Sequence, residues 1–208
     1  MAPAAGLPFA RMRQACPEAR GSHLEKTFIS AGALLADSFR LGARIFQSGY
    51  RPDVVVGIWR GGAPVAAPIH EYLQVRGIPA DHIAIRASSY TGIDQRSKSV
   101  EVTGLDPLIG KLGPDQALLL VDDVFDTGLT LQAILERLRA GAGERCPSRI
   151  RIACPWYKPA HNRTAFKPDY YLHETDRWLV FPHELAGLSD AEIRQKPDLS
   201  GVIGELDL

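Results

Sequence analysis

The chain has 208 residues, 45% of them apolar, with 24 basic and 24 acidic side chains and a formal net charge of zero. That length suits one domain with a substantial core, and the balanced charge argues against a broad nucleic-acid-binding surface. Three cysteines (Cys16, Cys146 and Cys154) show no metal-ligand or C-x-x-C spacing, and no apolar run approaches a membrane span. A soluble cytoplasmic protein is expected, with neither nucleic acid nor membrane as partner.

Residues 1–22, "MAPAAGLPFARMRQACPEARGS", are rich in Ala, Pro and Gly and read as a loosely ordered arm. Residues 23–208 read as one domain. From Thr27 to about Ser48 the apolar spacing predicts an amphipathic helix with Ser30 as N-cap and Gly49 near its end. "PDVVVGIWRGG" is a continuous apolar run of the buried parallel-strand type, stopped by glycines. "PVAAPIHEYLQVRG" predicts a helix with Val65, Ile69, Tyr72 and Leu73 inward and Gly77 past its end. Its regular part is expected to start around Pro68.

"HIAIRASSY" and "KSVEVTG" predict two strands around a polar connection, Ser88 to Lys98. "ALLLV" is another buried strand. Beyond it, Leu131, Ile134, Leu135 and Leu138 repeat with helical period, and Gly141 closes that helix. "RIRIACPWYK" and "PDYYLHE" supply two strands, and "WLVFP" a short one. Strands alternating with helices predict an α/β domain with a mostly parallel central sheet flanked by helices.

The chemistry concentrates in "ALLLVDDVFDTGLTL". In an open parallel sheet, ligands sit beyond the carboxyl ends of the strands, so Asp122 and Asp123 project into that crevice. The start of the next helix, with Gly128 for close approach and hydroxyls at Thr127 and Thr130, forms an anion cradle. Twin carboxylates beside a phosphate site suit a sugar diol, whose hydroxyls donate to them. A single Asp at a strand end is ordinarily a turn former or cap; three within five positions before Thr-Gly-x-Thr are not. There is no Walker lysine and no G-x-G-x-x-G after a strand.

"LLLVDDVFDTGLTL" resembles the phosphoribosyl pyrophosphate (PRPP) binding segment of type I phosphoribosyltransferases, and "PWYKPAHNRT" with "YYLHETDRWLVFPHE" resembles the purine-binding hood of the bacterial and archaeal enzymes for the 6-oxopurines xanthine, guanine and hypoxanthine. The resemblance covers roughly Phe28 to Glu184. It implies a five-stranded parallel core, a flexible loop, and a small C-terminal hood (mainly residues 156–190) over the base. By the same resemblance, Asp122 and Asp123 bind the ribose hydroxyls, and Asp126, Thr127, Gly128, Leu129 and Thr130 wrap the phosphate. "GIWRGGAPV" is similar to the pyrophosphate loop, with Arg60, Gly61 and Gly62 against the leaving group. Ser89 and Tyr90 match the Ser-Tyr pair of the flexible loop. Lys158, Trp178 and Leu179 take base-binding roles, and Glu184 stands where an acid serves Mg2+ through pyrophosphate or water.

The implied reaction moves the phosphoribosyl group from PRPP to a purine base, as in purine salvage, in a homodimer or homotetramer. Asp126 is the candidate acceptor of the purine ring proton, and Arg60 the cation facing the departing charge. A transferase for adenine or a pyrimidine, or a non-catalytic PRPP-sensing regulator, is the alternative. Spacing does not distinguish hypoxanthine, guanine and xanthine.

Overall fold

The computed structural model describes residues 26–91 and 98–206, of which 89–91, 98 and 99 are described by their backbone alone. Its centre is a five-stranded sheet of β2 (Val54–Trp59), β3 (Asp81–Thr91), β4 (Lys98–Thr103), β5 (Ala117–Val121) and β7 (Arg149–Ala153), in the order β4-β3-β2-β5-β7. The four strands from β3 to β7 are parallel, while β4 runs antiparallel to β3. The all-parallel core implied by the resemblance is thus corrected at one edge, where the chain folds back on β3 instead of crossing over a helix.

Strand periodicity divides the core in two. Val54, Val56, Ile58, Leu118 and Leu120 face one side, where they meet Leu108 of α3 (Asp106–Lys111) and Leu131, Ile134 and Leu138 of α4 (Leu129–Ala142). Val55, Leu119 and Val121 face the other, against Leu34, Leu41 and Ile45 of α1 (Ala31–Gln47) and Val65, Ile69 and Leu73 of α2 (Gly62–Val75). A sheet covered on both faces needs apolar residues at every position, which is why "VVVGI" and "ALLLV" are unbroken. Cutting Leu119, fully buried, to alanine would cost about 2–5 kcal/mol.

Ser30 caps α1 as expected, its hydroxyl accepting the Ala33 N–H at 3.1 Å. The helix does not reach back to Thr27, because Lys26–Phe28 form a short strand, β1, parallel to β10 (Trp178–Val180). α2 starts at Gly62 and runs through Pro68, earlier than expected. The absent Pro68 N–H costs one helical hydrogen bond, and the buried Val65, Ile69 and Leu73 hold the helix across the gap. α4 passes Gly141 and ends at Gly143, which takes φ +55°. α3 and a short helix in the tail, α5 (Asp190–Arg194), went unpredicted.

Beyond β7 the chain builds the smaller layer. β8 (Trp156–Tyr157) sits between β6 (Val124–Phe125) and β9 (His173–Glu174) in a three-stranded parallel sheet. The hood therefore borrows β6 and β1 from outside residues 156–190. Lys26 and Glu192 form an ion pair that ties β1 to α5, and it holds the Glu192 carboxyl down at about 2. No helix among the described residues is long and apolar enough to cross a membrane.

Candidate active site

β2 has β3 on one side and β5 on the other, so the order of connection reverses between β2 and β5. This is the switch point at which open α/β sheets hold ligands, beyond the carboxyl ends of the strands. Two segments emerge there, Arg60-Gly61-Gly62 after β2 and Asp122-Asp123 after β5. They touch. A Cβ on Gly61 would lie 2.0 Å from Asp123 Oδ2, and one on Gly62 would lie 2.2 Å from the Val121 carbonyl oxygen. Both glycines are therefore fixed by close approach rather than by backbone freedom. The Trp59–Arg60 peptide is cis, Trp59 is exposed, and the Arg60 side chain is exposed with no hydrogen bond or ion pair to the described residues.

The loop 122–130 contains three acids and no lysine, and the hood supplies what the loop lacks. The backbone N–H of Lys158 donates to the Phe125 carbonyl at 2.9 Å, extending the β6–β8 ladder by one residue and bringing Lys158 beside Asp126. Lys158 Nζ, buried, lies 3.2 Å from Asp126 Oδ2, and His161 Nδ1 lies 2.8 Å from Asp126 Oδ1. His183 Nε2 lies 3.1 Å from Asp123 Oδ2. Asp122 Oδ1 accepts the backbone N–H of Asp123 at 3.0 Å. Burial, then the neighbouring Asp123 carboxylate, hold the Asp122 carboxyl well above the usual carboxylate range.

Past Asp126, the backbone turns through Gly128 at φ +76° into α4. A Cβ there would lie 2.6 Å from Phe125 Cζ and 2.9 Å from Thr164 Cγ2, so the position demands glycine twice over. No side chain caps α4. Leu129 N–H reaches Thr127 Oγ1 only at 3.4 Å, and Thr127 and Thr130 remain partly exposed. The first turn of a 14-residue helix thus presents open N–H groups beside two hydroxyls, a ready anion cradle.

A family model for the phosphoribosyl transferase domain matches residues 29–186. The chain belongs to this family and is a phosphoribosyltransferase. Human hypoxanthine-guanine phosphoribosyltransferase is 27% identical over 172 residues, spanning 79% of this chain and 76% of that one. The structure of a purine phosphoribosyltransferase from Pyrococcus horikoshii superposes with a TM-score of 0.62 at 29% identity, over 79% of this chain and 97% of that one. A Helicobacter pylori xanthine-guanine-hypoxanthine phosphoribosyltransferase shares the fold at 19% identity and TM-score 0.57, over 76% and 92% of the two chains.

The remaining candidates of this phosphoribosyltransferase fall as follows. Trp178 is 53% exposed at the start of β10, and Leu179 packs into the core. The preceding Asp176 carboxylate accepts the Ala160 N–H at 3.3 Å, which sets this segment alongside the Lys158 turn. Glu184 directs Oε2 to the Phe181 N–H at 3.0 Å. Ser89 and Tyr90 lie in β3, paired with Val100 and Ser99, but their side chains and all of residues 92–97 fall outside the described residues.

Three contributors escaped the sequence reading. His161 and His183 carry no periodic signal, and their acids are distant in sequence. Lys196, fully buried in the tail, donates to the carbonyls of Phe181 at 2.6 Å and Glu184 at 2.8 Å, and burial lowers its ammonium below the usual lysine range. It fixes from behind the turn that carries His183. A lysine inside an otherwise unassigned tail gave no such hint.

Proposed function

We propose that this phosphoribosyltransferase moves the phosphoribosyl group of PRPP to a ring nitrogen of a 6-oxopurine, releasing pyrophosphate and giving the nucleoside 5'-monophosphate. The observation that carries this reading is the Lys158–Asp126 pair, an ammonium and a carboxylate side by side. A 6-oxopurine offers a carbonyl acceptor next to a ring N–H donor, which is the complementary pattern. Adenine sets an amino donor against the lysine, leaving two donors opposed. Trp178 supplies an exposed aromatic face at the hood, and base–aromatic stacking is worth about 1–3 kcal/mol. The names of the human and Pyrococcus relatives support a purine.

The ribose diol donates to the Asp122 and Asp123 carboxylates, and the 5'-phosphate takes the open first turn of α4 with Thr127 and Thr130. As the bond from the anomeric carbon to pyrophosphate breaks, Arg60 and the backbone of Gly61 and Gly62 face the charge that leaves. The purine nitrogen forms the new bond from the opposite side, inverting that carbon. The proton displaced from the purine ring passes to Asp126.

Among the described residues no three His, Cys, Asp or Glu side chains converge into a metal cage. Mg2+ characteristically uses one or two carboxylates with substrate phosphates and water, so hard oxygens at the pyrophosphate end fit it. Glu184 retains Oε1 for this, next to the His183 that reaches Asp123. When bound, Mg2+ would act as Lewis acid and template for the pyrophosphate. Chromatography of wild type, Asp126→Asn and Lys158→Met with PRPP, Mg2+ and hypoxanthine or guanine tests the reading. Nucleotide should form with wild type, and both variants should slow turnover by at least tenfold while keeping PRPP affinity. Normal turnover in Asp126→Asn would remove that residue from its role.

A further inference from the structure

We propose that His161 is a positioning residue for the proton transfer, holding the Asp126 carboxylate in place once the base has drawn Lys158 away. This rests on the function proposed above. In the free protein Asp126 is held on both oxygens, by His161 Nδ1 at 2.8 Å on Oδ1 and by Lys158 Nζ at 3.2 Å on Oδ2. The two anchors do not survive substrate equally. A base carbonyl that accepts from Lys158 competes for the same ammonium, and Oδ2 must be vacated before it can take the purine proton. Oδ1 and its histidine are then what fixes the carboxylate.

His161 is built to stay. It closes a turn begun by Pro159, its N–H donates to the Lys158 carbonyl at 3.2 Å, and Ala160 N–H is held by Asp176 at 3.3 Å. The next residue, Asn162, donates through Nδ2 to Tyr157 Oη at 3.2 Å and to the Phe166 carbonyl at 2.9 Å. Because a carboxylate only accepts, the proton of the His161–Asp126 contact sits on Nδ1, on a half-exposed ring. Holding a proton acceptor within a fraction of an ångström of the productive pose is where such a contact acts on rate.

The atom used makes the inference testable by isosteres. Asparagine places its amide nitrogen near the position of Nδ1, whereas glutamine places it near Nε2, out of reach of Asp126. With PRPP, Mg2+ and hypoxanthine or guanine, His161→Ala and His161→Gln should lower kcat about tenfold with the KM for PRPP unchanged. His161→Asn should recover most of the loss. A kcat at the wild-type level in His161→Ala or His161→Gln, or His161→Asn no better than His161→Ala, would overturn the proposal. So would an equal shift in the KM for PRPP. Asp126→Asn assayed alongside separates the two failures. If it is impaired and His161→Ala is not, only the role of His161 falls; if it turns over normally, the reading of Asp126 falls first.

Discussion

His183 Nε2 lies 3.1 Å from Asp123 Oδ2, joining the hood turn to one of the two acids at the end of the central strand β5. The same carboxylate oxygen faces Gly61, so Asp123 is clamped between the loop after β2 and the hood. Its neighbour Asp122 has no histidine partner of this kind among the described residues.

That clamp predicts an isostere pattern opposite to that of His161, since here the contact is through Nε2. His183→Gln keeps a donor near the right position and should bind PRPP nearly as wild type does. His183→Asn withdraws it, and the KM for PRPP should rise by tenfold or more, the scale of a hydrogen bond to a charged group at about 1.5–3 kcal/mol. Steady-state kinetics with PRPP varied decides the matter; equal behaviour of the two variants would contradict it.

Gly62 illustrates a constraint of close approach. A methyl group there meets the Val121 carbonyl at 2.2 Å and the Asp122 Cα at 2.9 Å, both backbone atoms that cannot swing aside. Gly62→Ala should push the Arg60 loop off β5, costing about 1–3 kcal/mol of stability and more than tenfold in PRPP affinity. Gly110→Ala, with nothing within 4 Å of the added carbon, serves as the neutral control. Denaturant unfolding and PRPP titration calorimetry measure the two effects.

Asp122 gives a pH prediction. Its folded-state carboxyl is raised above its unfolded value by burial and by Asp123, so the folded protein holds a proton that the unfolded chain releases. Its contribution to stability is therefore full below the unfolded carboxyl range and lost as pH rises through the raised folded value. Asp122→Asn, which cannot ionise, should melt higher than wild type at pH 8, with the gap closing towards pH 4. The same variant should lose PRPP binding, because it removes an acceptor for the diol. Thermal melts across that range would contradict the account if Asp122→Asn were the less stable protein at pH 8.

What was legible in the sequence was local. The unbroken run Ala117–Val121, the acids at its end and the helical repeat from Leu131 each lie within one element, so periodicity alone places them. Ser30 was legible as a cap for the same reason. Lys26–Phe28 was not, because three residues are too few to show alternation and their pairing partner is Trp178–Val180 at the far end of the chain. The loop 122–130 carries three acids and no lysine, and the partners of two of them are tertiary: Lys158 and His161 reach Asp126 and His183 reaches Asp123, all three from the hood. No spacing rule could reach them.

The most direct test of the central claim is pyrophosphate release from PRPP and Mg2+, measured with hypoxanthine, guanine, xanthine, adenine, orotate and uracil in turn. Release with one or more of the three 6-oxopurines, and none with adenine or the pyrimidines, is the predicted result. Release with adenine or a pyrimidine in place of the oxopurines, or PRPP binding without release for any base, would contradict the assignment of Lys158 and Asp126 to the purine edge.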